Sequence, residues 1–211
     1  MNSRFSVGDL TREIAVIAGQ NLPFLIVIGM LQAVIYTASD MVSPTTTIFV
    51  GSIVALIFDY AVLQRLLGHW GERWRLGSLF VAQLLSGLGI MLGFVLLVLP
   101  GLFLMARWSL VPAFIIVEDN RSQESLSSSW TATADCWLPI AIAYAINAAI
   151  LGAVLVGLEV GQDYVADFPP LAVSVTPNLF TAVYSIVASL VAVAAFRLSR
   201  SEASDLDNVF A

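Results

Sequence analysis

The chain has 211 residues, 59% of them hydrophobic and 11% charged, with a mean hydropathy of +0.90. Soluble domains carry ~25% charged residues, and a chain this short has too much surface per unit volume to hide so much apolar side chain from water. Nine Arg, no Lys and fifteen Asp plus Glu leave a net charge of −6, which excludes the cationic surface that nucleic-acid binding needs. The single Cys136 excludes an intrachain disulfide, and with the single His69 it cannot build a zinc site of the usual kinds. An all-α integral membrane protein, a single membrane domain over residues 1–211 with no cofactor, is the expectation.

The first twenty residues carry Arg4, Asp9, Arg12 and Glu13 and lack the compact apolar run of a cleavable signal. Within them Val7, Leu10, Ile14 and Ile17 recur at helical spacing, leaving Arg12, Glu13 and Gln20 off the apolar stripe. Ser6 suits an N-cap, with Asp9 at the positive helix end. This predicts a short amphipathic helix over 6–20 lying along the membrane interface.

A helix crossing ~30 Å of hydrocarbon needs about 20 apolar residues. Six stretches qualify: 22–39, 47–67, 77–99, 101–117, 138–160 and 177–197. A second amphipathic segment at 121–137 has a stripe of Leu126, Trp130, Thr133 or Ala134, and Trp137, its Ser and Asp residues facing away. Asn120 and Gln123 there resemble a capping box. A gapless shift of 116 residues aligns 9–24 loosely with 125–140, Leu22-Pro23 falling on Leu138-Pro139, suggesting a repeated unit of interfacial helix plus two spans, with spans three and four inserted as a hairpin about a tight Leu99-Pro100-Gly101 turn.

Arginine placement gives sidedness. Arg4, Arg12, Arg65, Arg73, Arg75, Arg121, Arg197 and Arg200 all fall on one side of a six-span arrangement, so both termini are expected in the cytoplasm. Trp70, Trp74, Trp130 and Trp137 share that side, as expected of an interfacial belt; Tyr164 and Phe168 form a thinner one opposite.

The passage from Leu99 to Trp137 resembles the signature of a bacterial integral-membrane family. That family comprises the YciC-like inner-membrane proteins and the membrane domain attached to some glycerophosphoryl diester phosphodiesterases. The residues carrying the resemblance are Pro100, Gly101, Arg107, Trp108, Pro112, Glu118, Ser129 and Trp130. It implies six helices in the bacterial inner membrane and assigns no activity. The phosphodiesterase catalytic domain has no room in this chain.

Among in-span polar residues Arg107 stands out. An Arg at the centre of a membrane helix costs roughly 2.5–3.5 kcal/mol on insertion scales and requires a partner; Asp59 is the acid best placed to supply it. Gln83 and Asn147 complete an intramembrane polar set, suited either to bonds between helices or to lining a cavity, whereas Gln64 and Glu159 lie near helix ends. Gly89 and Gly93, and the Ala141, Ala145, Ala149, Ala153 series, permit close packing within the chain or between two copies. His69 reads as a solvated loop residue, Cys136 as an unreactive thiol and the acidic tail as disordered. No metal, phosphate-loop or nucleophile motif occurs. Three functional readings follow: a non-enzymatic membrane protein acting through lipids or a partner membrane protein, a small transporter for an anion or amphiphile with Arg107 in its path, and an accessory domain for a lipid-metabolising enzyme.

Overall fold

The computed structural model describes residues 5–70, 74–164 and 170–210, with backbone alone over 44–50, 161–164, 170–174 and 202–210. Every regular element is a helix: α1 (Val7–Val42), α2 (Pro44–Leu66), α3 (Leu76–Leu96), α4 (Val98–Arg107), α5 (Val111–Val117), α6 (Ser122–Ala132), α7 (Trp137–Tyr164) and α8 (Pro170–Phe210). Among the described residues five stretches are long and apolar enough to cross a membrane: Val7–Val42, Leu76–Leu96, Val98–Val117, Trp137–Val160 and Val175–Ser201. The chain is thus all-α, with the helices of a multi-pass membrane protein.

The N-terminal segment is not a separate helix. Ser6 caps as expected: its Oγ accepts the Asp9 amide at 3.2 Å, and the Asp9 carboxylate accepts the Ser6 amide at 2.9 Å. The helix then continues through Pro23 to Val42. Pro23 lacks an N–H, a loss that membrane helices tolerate, and Leu10 and Ile17 are fully buried in the same core as Leu25. Packing keeps the two halves in line. The acidic tail also departs from expectation, since α8 extends as helix to Phe210.

Helices α1, α2, α7 and α8 form one bundle, with α1 lying along α8 and α2, and α7 along α8. Helices α1 and α8 approach closely at Gly29, where a Cβ would meet Ile186 Cδ1 of α8 at 2.8 Å and push that side-chain end aside. The expected grouping of arginines appears as a tied-off end of this bundle. Arg197 lies 3.5 Å from Glu13 and donates to the Leu66 carbonyl at 2.7 Å. Arg200 pairs with Glu118, and Arg75 with Asp119 at 2.8 Å.

The α3–α4 hairpin is held by the predicted small residues. Its turn is the single extended residue Leu97, so Pro100 and Gly101 belong to the first turn of α4 rather than to the connection. A Cβ on Gly93 would sit 2.9 Å from Gly101 Cα, and one on Gly89 would sit 2.5 Å from the Trp108 ring. The Gly89–Gly93 face is therefore used within the chain. Of the α7 series, Ala141 is buried while Ala149 and Ala153 are exposed.

Candidate functional site at the broken helix

The expected fourth span is interrupted. Pro112, at the second position of α5, has no N–H for the Trp108 carbonyl, and its ring crowds that carbonyl. Val111 N–H bonds Trp108 O instead, at 3.2 Å, so the chain leaves helical geometry over 108–110 and the Arg107 carbonyl loses its helical donor. Free backbone groups are costly at membrane depth unless other groups satisfy them.

Helix α6 supplies those groups. Ser129 Oγ donates to Arg107 O at 2.7 Å and accepts the Leu110 amide at 3.3 Å. Thr133 Oγ1 reaches Arg107 O at 3.2 Å and its own helix at Ser129 O at 2.7 Å. Ser125, Ser129 and Thr133 are all fully buried. Of the stripe expected from the sequence, Leu126, Thr133 and Trp137 pack inward while Trp130 and Ala134 are exposed; the fully buried positions are the hydroxyl-bearing Ser125, Ser129 and Thr133. The helix begins one residue later than predicted, with the Glu124 carboxylate accepting the Arg121 amide at 3.0 Å. A spacing of four between small hydroxyl residues was the available signal, and hydrophobicity alone hides it.

The Arg107 side chain is 7% exposed. Its guanidinium carbon lies 4.3 Å from the centroid of the Trp130 ring and 5.7 Å from that of Phe103. Phe103 meets Trp130 edge-on at 5.7 Å and Trp137 at 5.1 Å, and Trp108 lies 6.1 Å from Trp130. A cation over an indole face is attracted by the ring quadrupole, by ~2 kcal/mol or more when desolvated. Arg107 Nε is buried with no hydrogen-bond partner.

Asp59 is not that partner. Its carboxylate accepts from Ser185 Oγ of α8. Next to it, Asn147 Nδ2 of α7 donates to Tyr184 O at 3.1 Å, and Tyr144 OH donates to Ala188 O at 3.2 Å. Tyr36 of α1, bonded to Gln32 at 3.0 Å, and Tyr144 both lie within range of the Asp59 charge. The four expected polar residues thus separate. Asp59 and Asn147 share one stretch of α8, Arg107 lies among rings at the helix break, and Gln83 is half-buried on α3. Gln64, expected to reach the interface, is instead buried with Oε1 unpartnered.

Of the residues behind the family resemblance, Arg107, Trp108, Pro112, Ser129 and Trp130 converge on the break. Gly101 closes the hairpin, and Glu118 accepts from Asn120 Nδ2 at 3.1 Å beside Arg200. Beside the ring cluster an apolar groove of about 520 Å³ runs between α4 and α7, lined by Leu99, Pro100, Phe103, Trp137, Ala141 and Ala145 among others. Among the described residues no group of three His, Cys, Asp or Glu is placed to hold a metal. No family model, curated protein or solved structure matches the chain.

Proposed function

We propose that this is a non-enzymatic, multi-pass protein of the bacterial inner membrane, with both termini in the cytoplasm, that acts through contacts with membrane lipid. The observation carrying this reading is the Arg107 cluster: a desolvated cation packed on Trp130 and Phe103, next to an apolar groove open at the bundle surface. Such a site suits an acyl chain better than a water-filled path. The orientation rests on the positive-inside rule, and the polar outer face of α6 suits the cytoplasmic interface. Membership of the YciC-like family rests on the resemblance of the Leu99–Trp137 passage alone.

Native mass spectrometry of the detergent-purified protein tests the reading. A co-purified lipid is expected, and Ala141→Trp, which fills the groove, should reduce its retention. A protein that carries no lipid, or whose bound lipid ignores Ala141→Trp, removes the support. The unpartnered Arg107 Nε favours a second reading, transport of an anion or amphiphile. Chloride or phosphate flux in proteoliposomes that is abolished by Arg107→Gln would establish that alternative in place of the first. An accessory role beside a separate lipid-metabolising enzyme rests on the family resemblance alone.

A further inference from the structure

Both ends of the α3–α4 hairpin are tied to the same end of the bundle. At the start of α3 the Arg75 amide donates to Tyr60 OH at 3.0 Å, and Ser78 O accepts Ser122 Oγ at 2.8 Å. Near the other end of the hairpin, six residues past the turn on α4, Phe103 meets Trp137, the first residue of α7, at 5.1 Å. Depth along the bundle is marked by α8: Tyr144 of α7 bonds Ala188 O, Phe114 of α5 meets Phe196 at 5.3 Å, and Glu118 pairs with Arg200. Trp137 precedes Tyr144 by nearly two helical turns, which sets it, and with it Phe103, level with the arginine-bearing end of α8.

Helical rise then limits the reach of the hairpin. From Phe103 back to Leu97 is ~9 Å of helix, whereas α7 runs ~35 Å from Trp137 to Val160. The groove gives the same register, pairing Leu99 and Pro100 with Ala141 and Ala145, far short of Val160. The turn therefore ends near the middle of a ~30 Å hydrocarbon layer. Helix α3, 21 residues long, is ~31 Å in length yet runs only from the bundle end to mid-layer, about half that depth, so it lies strongly inclined.

We infer that the α3–α4 hairpin does not cross the bilayer but enters and leaves by the cytoplasmic face, making a lipid-embedded surface for the acyl chains of that leaflet. Its composition fits. Residues 94–99 are six consecutive large apolar residues, all exposed and up to 78% so at Leu99, which water would penalise. Two backbone donors at the turn are satisfied within the chain, Leu97 N–H by Gly93 O at 3.0 Å and Gly101 N–H by Leu97 O at 3.4 Å, and Pro100 has no N–H. Helix α6 covers the hairpin from its polar side through Ser122. Arginine sidedness is the same whether the turn crosses or not, because the turn carries no charge.

This inference rests on the membrane reading above, and the test separates the two. In a Cys136→Ala background, single cysteines replace Met41, Gln123 and Leu97 and are probed in sealed vesicles with a membrane-impermeant maleimide. Met41→Cys should react from the extracytoplasmic side and Gln123→Cys from the cytoplasmic side; if both react from one side, the orientation reading fails. Leu97→Cys should react from neither, and a nitroxide there should meet oxygen but not a nickel chelate. Labelling of Leu97→Cys from the Met41 side overturns the hairpin inference. Pulsed electron-spin distances add a check independent of orientation: Leu97 should lie nearer Ile142 than Val160, and the reverse order overturns it as well. All these positions are exposed on the bundle surface, so the labels need not disturb the core.

Discussion

At residue scale the Arg107 carbonyl governs the site. Two hydroxyls converge on it, so removing one leaves the other in place, while removing both strands a buried carbonyl at ~1–3 kcal/mol. Ser129→Ala and Thr133→Val should each destabilise modestly, and the double variant should cost more than the sum of the two. Reversible unfolding in mixed micelles measures this, and strict additivity would show that the hydroxyls do not share the carbonyl. The guanidinium gives a second expectation. A double-mutant cycle between Arg107→Gln and Trp130→Leu should return a coupling of ~2 kcal/mol. The same cycle with Asp59→Asn should stay within the ~0.5 kcal/mol typical of independent sites. A large Arg107–Asp59 coupling would restore the ion pair that the charges alone suggest.

At element scale the glycines separate into two kinds. Gly93 faces backbone, with Gly101 Cα 2.9 Å from where its Cβ would be, whereas Gly157 on α7 faces open space. Gly93→Ala should therefore destabilise the hairpin by ~1–3 kcal/mol through overpacking. Gly157→Ala should be neutral or stabilising by up to ~1 kcal/mol, because Ala restricts the unfolded chain and favours helix. Thermal denaturation in detergent distinguishes them, and equal effects would mean that α3 and α4 are not in close contact. Asn147→Leu removes one interhelical bond to Tyr184 O and should cost ~1 kcal/mol or less.

At the scale of the whole molecule, the bundle of α1, α2, α7 and α8 closes at one end through Arg197, Glu13 and the Leu66 carbonyl. Arg197→Leu should loosen that end, seen as faster amide exchange over 5–15 and 195–200, with the Gly29–Ile186 crossing left intact. Unchanged exchange there would mean that apolar packing alone holds the end together. Reporter fusions at both termini should be active in the cytoplasm.

Composition and periodicity were enough to determine a helical chain with apolar helices of membrane-spanning length, the places of most helices, the Ser6 cap, and the close-packing Gly89 and Gly93. Each follows from local chemistry or from the solvent that a residue needs. The tertiary structure alone decided that α1 runs unbroken through Pro23, that α6 turns Ser125 and Ser129 inward and Trp130 outward, and that Arg107 stacks on Trp130 while Asp59 bonds Ser185. Those outcomes depend on which distant groups arrive beside a broken backbone or a buried charge, and a linear pattern carries no measure of that distance.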